Sequence, residues 1–261
     1  MPIITGSIIG SITSPKPRPA IGYDNLFLEA GTFVDTGSNY QNALNCNTYN
    51  GWLTGAAGAT LTFTTTGAAE FADYFAFAAH DLYLYSGNIK LEYYDGLAWV
   101  TAAEMVPGDA HPYMILFDRA ASNQWRVVVT STAACTIGVI FAGDRLTLQR
   151  GIHVGHQPAG FGSNNKLIMS TTEGGQFAGA SVRRTGATGQ MALDWITNAW
   201  MRTYWYPFLA YANIGKPWFL MWSTETYTNE VAYARVSAPI QAQNSHPNFM
   251  SSSFSYQALT R

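Results

Sequence analysis

Apolar and polar side chains alternate through much of the first 150 residues of the chain. Ile89, Leu91 and Tyr93 alternate with Lys90, Glu92 and Tyr94; Asp95-Gly96 then supplies a tight turn, and Trp99 is placed to re-enter the apolar layer. The pattern predicts a half-buried hairpin. Next, Trp125, Val127 and Val129 take one face while Arg126, Val128 and Thr130 take the other, a period of two that belongs to a strand. Trp99 and Trp125 are therefore expected in a core. Residues 59–63 alternate in the same way, whereas residues 72–78 form an almost continuous apolar run of buried-strand length. Strand patterns at 136–142 and 146–149 complete this part, which shows no convincing helical period.

A glycine-rich stretch, residues 151–162, marks a boundary, and the chain then changes character. Met191, Leu193 and Trp195 share one side of a predicted strand. Asn198 is a suitable N-cap for a helix near 198–211, which Pro207 ends or bends. After a turn at Gly215-Lys-Pro217 come a short apolar strand at 218–222 and its alternating partner at 230–236. Tryptophan is concentrated here, so Trp195, Trp200, Trp205, Trp218 and Trp222 are nominated as core or subunit interface. At the other end, Pro15, Pro17 and Pro19 favour an extended conformation, and residues 1–22 read as an arm. The expected organisation is this arm, a β-sandwich over 23–150, and a β-rich domain with one helix over 151–261.

The order of strand patterns over residues 22–150 resembles the galactose-binding-like, or discoidin-like, jelly-roll β-sandwich. That resemblance implies a module that binds or builds, with ligands held by loops at one end. Residues 180–261, with the strand Gly215-Lys-Pro-Trp-Phe-Leu-Met-Trp222 and its partner Glu230-Val-Ala-Tyr-Ala-Arg235, resemble the C-terminal part of distal-tail proteins from the tails and baseplates of long-tailed bacteriophages. This second resemblance implies a ring of identical subunits, commonly sixfold, attached to a tail tube and to other tail proteins. It also implies residence in the virion after synthesis in a bacterial cytoplasm.

Composition sharpens the picture. Charged residues make up 11% of the chain, against roughly 25% in an average soluble protein, and polarity comes instead from Thr, Ser, Asn, Gln and Gly. With 14% aromatic residues, a surface of this kind is expected to be covered by neighbouring subunits; the plainer alternative is an all-β protein with Thr- and Ser-rich strands. The net charge of −2 and the lack of any Lys or Arg run exclude a nucleic-acid partner. The first residues lack the basic region of a signal peptide, and no apolar window is long enough to span a membrane. Cys46 and Cys135 read as reduced thiols.

Little in the chain points to catalysis. His153 and His156, beside Gln157, have no Cys, Asp or Glu near in sequence to complete a metal site, and no metal is expected. His80-Asp81 reads as a structural histidine at a strand end in preference to an acid-base pair. The recognised nucleophile, zinc, phosphate and dinucleotide motifs are absent, and Asp73, Asp81, Glu92, Asp95, Glu104, Asp109 and Asp118 are too scattered to nominate a glycosidase pair. No enzyme activity or cofactor is expected. Sugar binding needs an exposed aromatic face flanked by amide and carboxylate groups, and the loops carrying Tyr49, Trp52 and Tyr85 are the candidates. The first expectation is a structural tail-tip subunit acting by ring assembly; the alternative is a carbohydrate-binding module or lectin that attaches to host glycans.

Overall fold

A computed structural model describes residues 18–152 and 156–259 of the chain. Most of the expected arm, and His153, lie outside the described residues. In chain order the strands are β1 (Ala20–Gly22), β2 (Gly31–Asp35), β3 (Trp52–Leu53), β4 (Ala59–Thr65), β5 (Glu70–His80), β6 (Asn88–Tyr94), β7 (Trp99–Met105), β8 (Tyr113–Ser122), β9 (Gln124–Thr130), β10 (Thr136–Gly143), β11 (Leu146–Thr147), β12 (Ser163–Thr171), β13 (Phe177–Thr197), β14 (Trp218–Met221), β15 (Val231–Val236), β16 (Gln241–His246) and β17 (Phe249–Leu259). The chain is mainly β, a sandwich followed by a β-rich unit with one helix.

The sandwich pairs a five-stranded sheet, β2-β4-β9-β6-β7, with a four-stranded sheet, β3-β10-β5-β8. Leu61, Phe63, Trp125 and Val127 from one sheet meet Phe75, Phe77 and Ile140 from the other. The four-stranded sheet has a second buried face. Tyr74, Ala76, Ala78, Val139 and Phe141 point away from the sandwich core, towards Phe219, Met221, Val231 and Tyr233 of the third sheet. That burial on both sides is why residues 72–78 read as a continuous apolar run instead of an alternating one. The third sheet, ordered β11-β1-β14-β15-β17-β13-β12 with β16 on β17, is in turn covered on its far side by the helical residues 198–212, which bring Met201, Trp205 and Phe208 onto Trp218, Phe254 and Tyr256.

Ala20–Gly22, read from the sequence as the end of an arm, is a strand between β11 and β14, pairing Ala20 with both Thr147 and Met221. The segments entering and leaving the sandwich therefore both belong to the third sheet. Tyr74 reinforces the join by donating its hydroxyl to the Asp24 carbonyl.

The helix starts one residue earlier than its sequence signal. Thr197 caps it by accepting from the Trp200 N–H at 3.4 Å, while Asn198 donates to the Pro247 carbonyl at 3.1 Å. Pro207 does not end it. Met201–Trp205 adopts a π turn in which the Tyr206 N–H bonds to the Met201 carbonyl, a widening that accommodates the missing N–H and the ring of the proline that follows; helix then continues to Ala212.

Trp125 is fully buried, as its alternation predicts. Trp99 is not in the core. In β7 the register shifts as Leu91 pairs with Ala103 but Glu92 with Thr101, leaving Ala102 as an extra residue. A bulge of this kind reverses the face of every residue beyond it. Trp99 is thus carried to the outer face, where the Arg126 guanidinium lies 4.2 Å above its ring and pairs with Glu92 at 2.6 Å.

Candidate functional site

The strand ends gather the 36–51, 81–87, 106–112 and 131–135 loops at one end of the sandwich, since His80 pairs with Ile137, Phe77 with Tyr113, Ile89 with Met105 and Asn88 with Thr130. This is the end where the sequence placed Tyr49, Trp52 and Tyr85. Tyr49 is 84% exposed, but Trp52 is fully buried. The Trp52 indole N–H donates to Asp35 Oδ1 at 2.9 Å, so its ring is a wall of the core and offers no face to a sugar. Tyr85 packs partly against that core, and its carbonyl accepts the Thr132 hydroxyl at 2.9 Å. The three rings therefore do not share one solvent-facing surface.

Asparagines brace the loop: Asn42 Nδ2 donates to the Gly51 carbonyl at 3.2 Å, and Asn50 Nδ2 to Asn42 Oδ1 at 3.2 Å. It is fastened to the third sheet through Cys46. The Cys46 carbonyl accepts from the Tyr233 hydroxyl at 2.8 Å and from Arg235 at 3.3 Å. Cys46, with φ of 64°, is held in a region that ordinary side chains avoid. Cys46 and Cys135 are both free thiols.

The titratable groups singled out in the sequence are structural in their surroundings. His80 Nε2 lies 3.1 Å from the His111 carbonyl, whereas Asp81 accepts the Thr136 N–H at 2.6 Å, so the two neighbours in sequence serve different partners. Burial holds the His80 pKa below that of an ordinary histidine. His156 Nδ1 is 3.0 Å from the Gln190 carbonyl, and burial lowers its pKa as well. Among the described residues, no three His, Cys, Asp or Glu side chains converge as a metal site would require. At the opposite end of the sandwich Arg145 pairs with Asp73 at 3.1 Å; burial outweighs this neighbour and pushes the Asp73 carboxyl up to about 6.

Of the five nominated tryptophans, Trp205 and Trp218 are fully buried in the core of the β-rich unit and are not interface residues of the folded chain. Trp205 packs 4.8 Å from Phe208, and Trp218 meets the same ring edge-on at 5.4 Å. Trp200 lies partly covered beside Trp205. Trp222 is bonded to Glu230 at 2.7 Å and stacked on Tyr227. Trp195 is the one that remains open, 47% exposed.

A larger surface escaped the sequence reading. The third sheet pairs β13 with β17 only from Ala187 onward, so β12 and the first part of β13 form a two-stranded ribbon extending beyond the sheet. Residues 166–182 are exposed along its whole length. Leu167 faces Val182 across the ribbon and Met169 faces Ala180, which places four apolar side chains on one face; Phe177, 85% exposed, stands at the tip. The turn is closed by Thr172, whose N–H donates to the Gln176 carbonyl at 2.8 Å, with Gly175 at φ of 76°. Each strand carries only two members of this pattern, Leu167 and Met169 on one and Ala180 and Val182 on the other, so it becomes continuous only when the strands pair.

No protein-family model matches the chain, and no curated protein matches it. Among solved structures, the sandwich aligns with the family 32 carbohydrate-binding module of EndoD from Streptococcus pneumoniae at 17% identity and a TM-score of 0.39, covering 46% of this chain and 99% of that one. The family 32 module of NanJ from Clostridium perfringens, solved with galactose, aligns at 12% identity and a TM-score of 0.36, covering 43% and 92%. A chitosan-binding module from the chitosanase/glucanase of Paenibacillus sp. IK-5, solved with chitotriose, aligns at 13% identity and a TM-score of 0.36, covering 44% and 97%. A likeness of this degree assigns neither ligand nor site residue to the chain.

Proposed function

We propose that the chain is a structural subunit that acts by self-assembly, of the tail-tip kind that its C-terminal segment resembles. The observation carrying this reading is the ribbon of β12 and β13. An isolated two-stranded hairpin is marginally stable in water and needs a third strand or a packing partner. This one exposes Leu167, Met169, Ala180 and Val182 on one face, and among the described residues nothing pairs with its outer backbone edge, a template for a neighbouring chain. In this reading a second copy supplies the missing strand and apolar cover, and the three-layer body holds the ribbon in a fixed direction. No catalytic residue is required.

Sedimentation of the intact chain tests the proposal. The parent is expected to associate with weak dependence on salt, since apolar burial and backbone pairing drive it. The triple variant Leu167→Ser, Met169→Ser, Val182→Ser should remain folded, because these side chains are exposed, and sediment as a monomer. A parent that stays monomeric at high concentration, or a variant that associates equally well, would refute it.

Carbohydrate binding by the sandwich is the second reading, favoured by Tyr49. Its ring stands almost wholly in solvent beside an asparagine-lined loop, the pairing of apolar face and amides that sugar recognition uses. Loss of glycan binding in Tyr49→Ala would support it.

A further inference from the structure

The third sheet carries a concave polar patch remote in sequence from the sandwich loops. On β13 and β17, Leu193 and Ser252 are buried, and on β16 Ala242 packs against the same core. Strand alternation therefore sends Asp194, Ser251, Ser253, Gln241 and Gln243 to the opposite face. The pairing sets them side by side: Ala192 opposite Ser253, Ser253 opposite Gln241, and Ser251 opposite Gln243. Together they line a cavity of about 310 Å³.

A bulge completes the patch. Between Leu193 and Ile196, both buried, the β13–β17 register shifts, and Trp195 adopts φ of 57°. Uninterrupted alternation would have turned Trp195 into the core. The bulge instead leaves Asp194 and Trp195 together outside, and re-aiming a side chain is what bulges near binding sites do. His246 stacks on the indole at 4.3 Å and Phe249 meets it edge-on at 5.6 Å, and the residue as a whole stays exposed. The result is a braced, open indole whose chain neighbour Asp194 lines the cavity together with Gln241, Gln243, Ser251 and Ser253.

We infer that this groove binds a neutral saccharide. The indole offers an apolar face to the C–H side of a pyranose, and Gln241, Gln243, Ser251 and Ser253 supply both donors and acceptors for its hydroxyls. Asp194 accepts hydrogen bonds from hydroxyls and disfavours anionic sugars, for which no Lys or Arg among the described residues lines the cavity. The site differs from the sandwich-loop reading and is independent of self-association.

Calorimetric titration of the intact chain with triacetylchitotriose, lactose and maltotriose, and with trigalacturonate as the anionic comparison, tests the inference. At least one neutral sugar should bind, and trigalacturonate should not. Trp195→Gly, chosen because glycine accepts the positive φ, and Gln243→Ala should each weaken that binding about tenfold or more, while Tyr49→Ala leaves it unchanged. Circular dichroism and melting confirm that each variant is folded; if Trp195→Gly is not, Gln243→Ala decides alone. Binding of none of the neutral sugars, binding that persists in the folded variants, preference for trigalacturonate, or binding lost in Tyr49→Ala would overturn it.

Discussion

Phe141 is the place to test whether the sandwich and the third sheet form one cooperative body. It lies on β10, fully buried, and points out of the sandwich core into the layer between the sheets, with Phe219 edge-on at 5.4 Å and Tyr233 at 6.4 Å. Truncating a buried phenylalanine to alanine forfeits its transfer energy and leaves a cavity, about 3–5 kcal/mol in well-packed cores. Loss of the two edge-on ring contacts, about 0.5–1.5 kcal/mol for such a pair, places Phe141→Ala in the upper part of that range. For a chain of this size each kcal/mol lowers Tm by about 2–4 °C, so a cost of about 4–5 kcal/mol gives an expected fall of roughly 8–20 °C in scanning calorimetry. Phe219→Ala, made from the other side of the layer, should lower the same transition. Because the two rings touch, the double variant should depart from additivity by about 0.5 kcal/mol or more. Separate calorimetric peaks, with Phe141→Ala moving one and Phe219→Ala the other, would refute the shared layer, as would a Phe141→Ala chain melting within about 2 °C of the parent.

Trp125→Ala should cost about 3–5 kcal/mol in urea unfolding, while Trp99→Ala, on the outer face beneath Arg126, should cost about 1 kcal/mol or less; equal costs would mean that the β7 bulge is misplaced. Gly189→Ala would drive a methyl group into the buried Tyr256 ring, with an expected loss of about 1–3 kcal/mol read from the urea midpoint. His80 has a folded-state pKa below its ordinary value, with burial as the main cause, opposed by the His111 carbonyl and by Asp109 and Asp81. The unfolded chain therefore binds this proton more readily, and the contribution His80 makes above pH 6.5 is lost as pH falls through the window below it. The stability advantage of the parent over His80→Gln should shrink from pH 7 to pH 5; a constant difference would contradict the assignment.

Much of the strand content was legible in the chain. The alternations at 59–63, 89–93 and 125–129 all correspond to β4, β6 and β9 of one sheet, with Leu61, Phe63, Leu91, Trp125 and Val127 inward. Errors fell where one residue changed the phase. Ala102 reversed Trp99, and the bulge after Leu193 turned Trp195 outward when its spacing from Met191 and Leu193 had placed it with them. Trp52 left the aromatic ligand candidates for a different reason: Tyr49 and Trp52 are three residues apart and equally aromatic, yet Tyr49 stayed exposed while the Trp52 indole N–H found Asp35 inside the molecule. The polar groove was not legible at all, since its residues come from β13, β16 and β17 and acquire meaning only side by side.

What the sequence by itself determined is the local conformation: a period of two makes strands because successive side chains leave a pleated backbone on opposite sides, and an unbroken apolar run marks a strand covered on both. What the tertiary structure alone decided is membership and phase. Ala20–Gly22 and Leu146–Thr147 became strands of the third sheet because their backbone groups found partners there, and the ribbon of β12 and β13 was left exposed because β17 pairs with β13 only from Ala187. Hydrogen bonding between strands and the counting of one extra residue across a pair are properties of two segments at once, so neither segment read singly contains them.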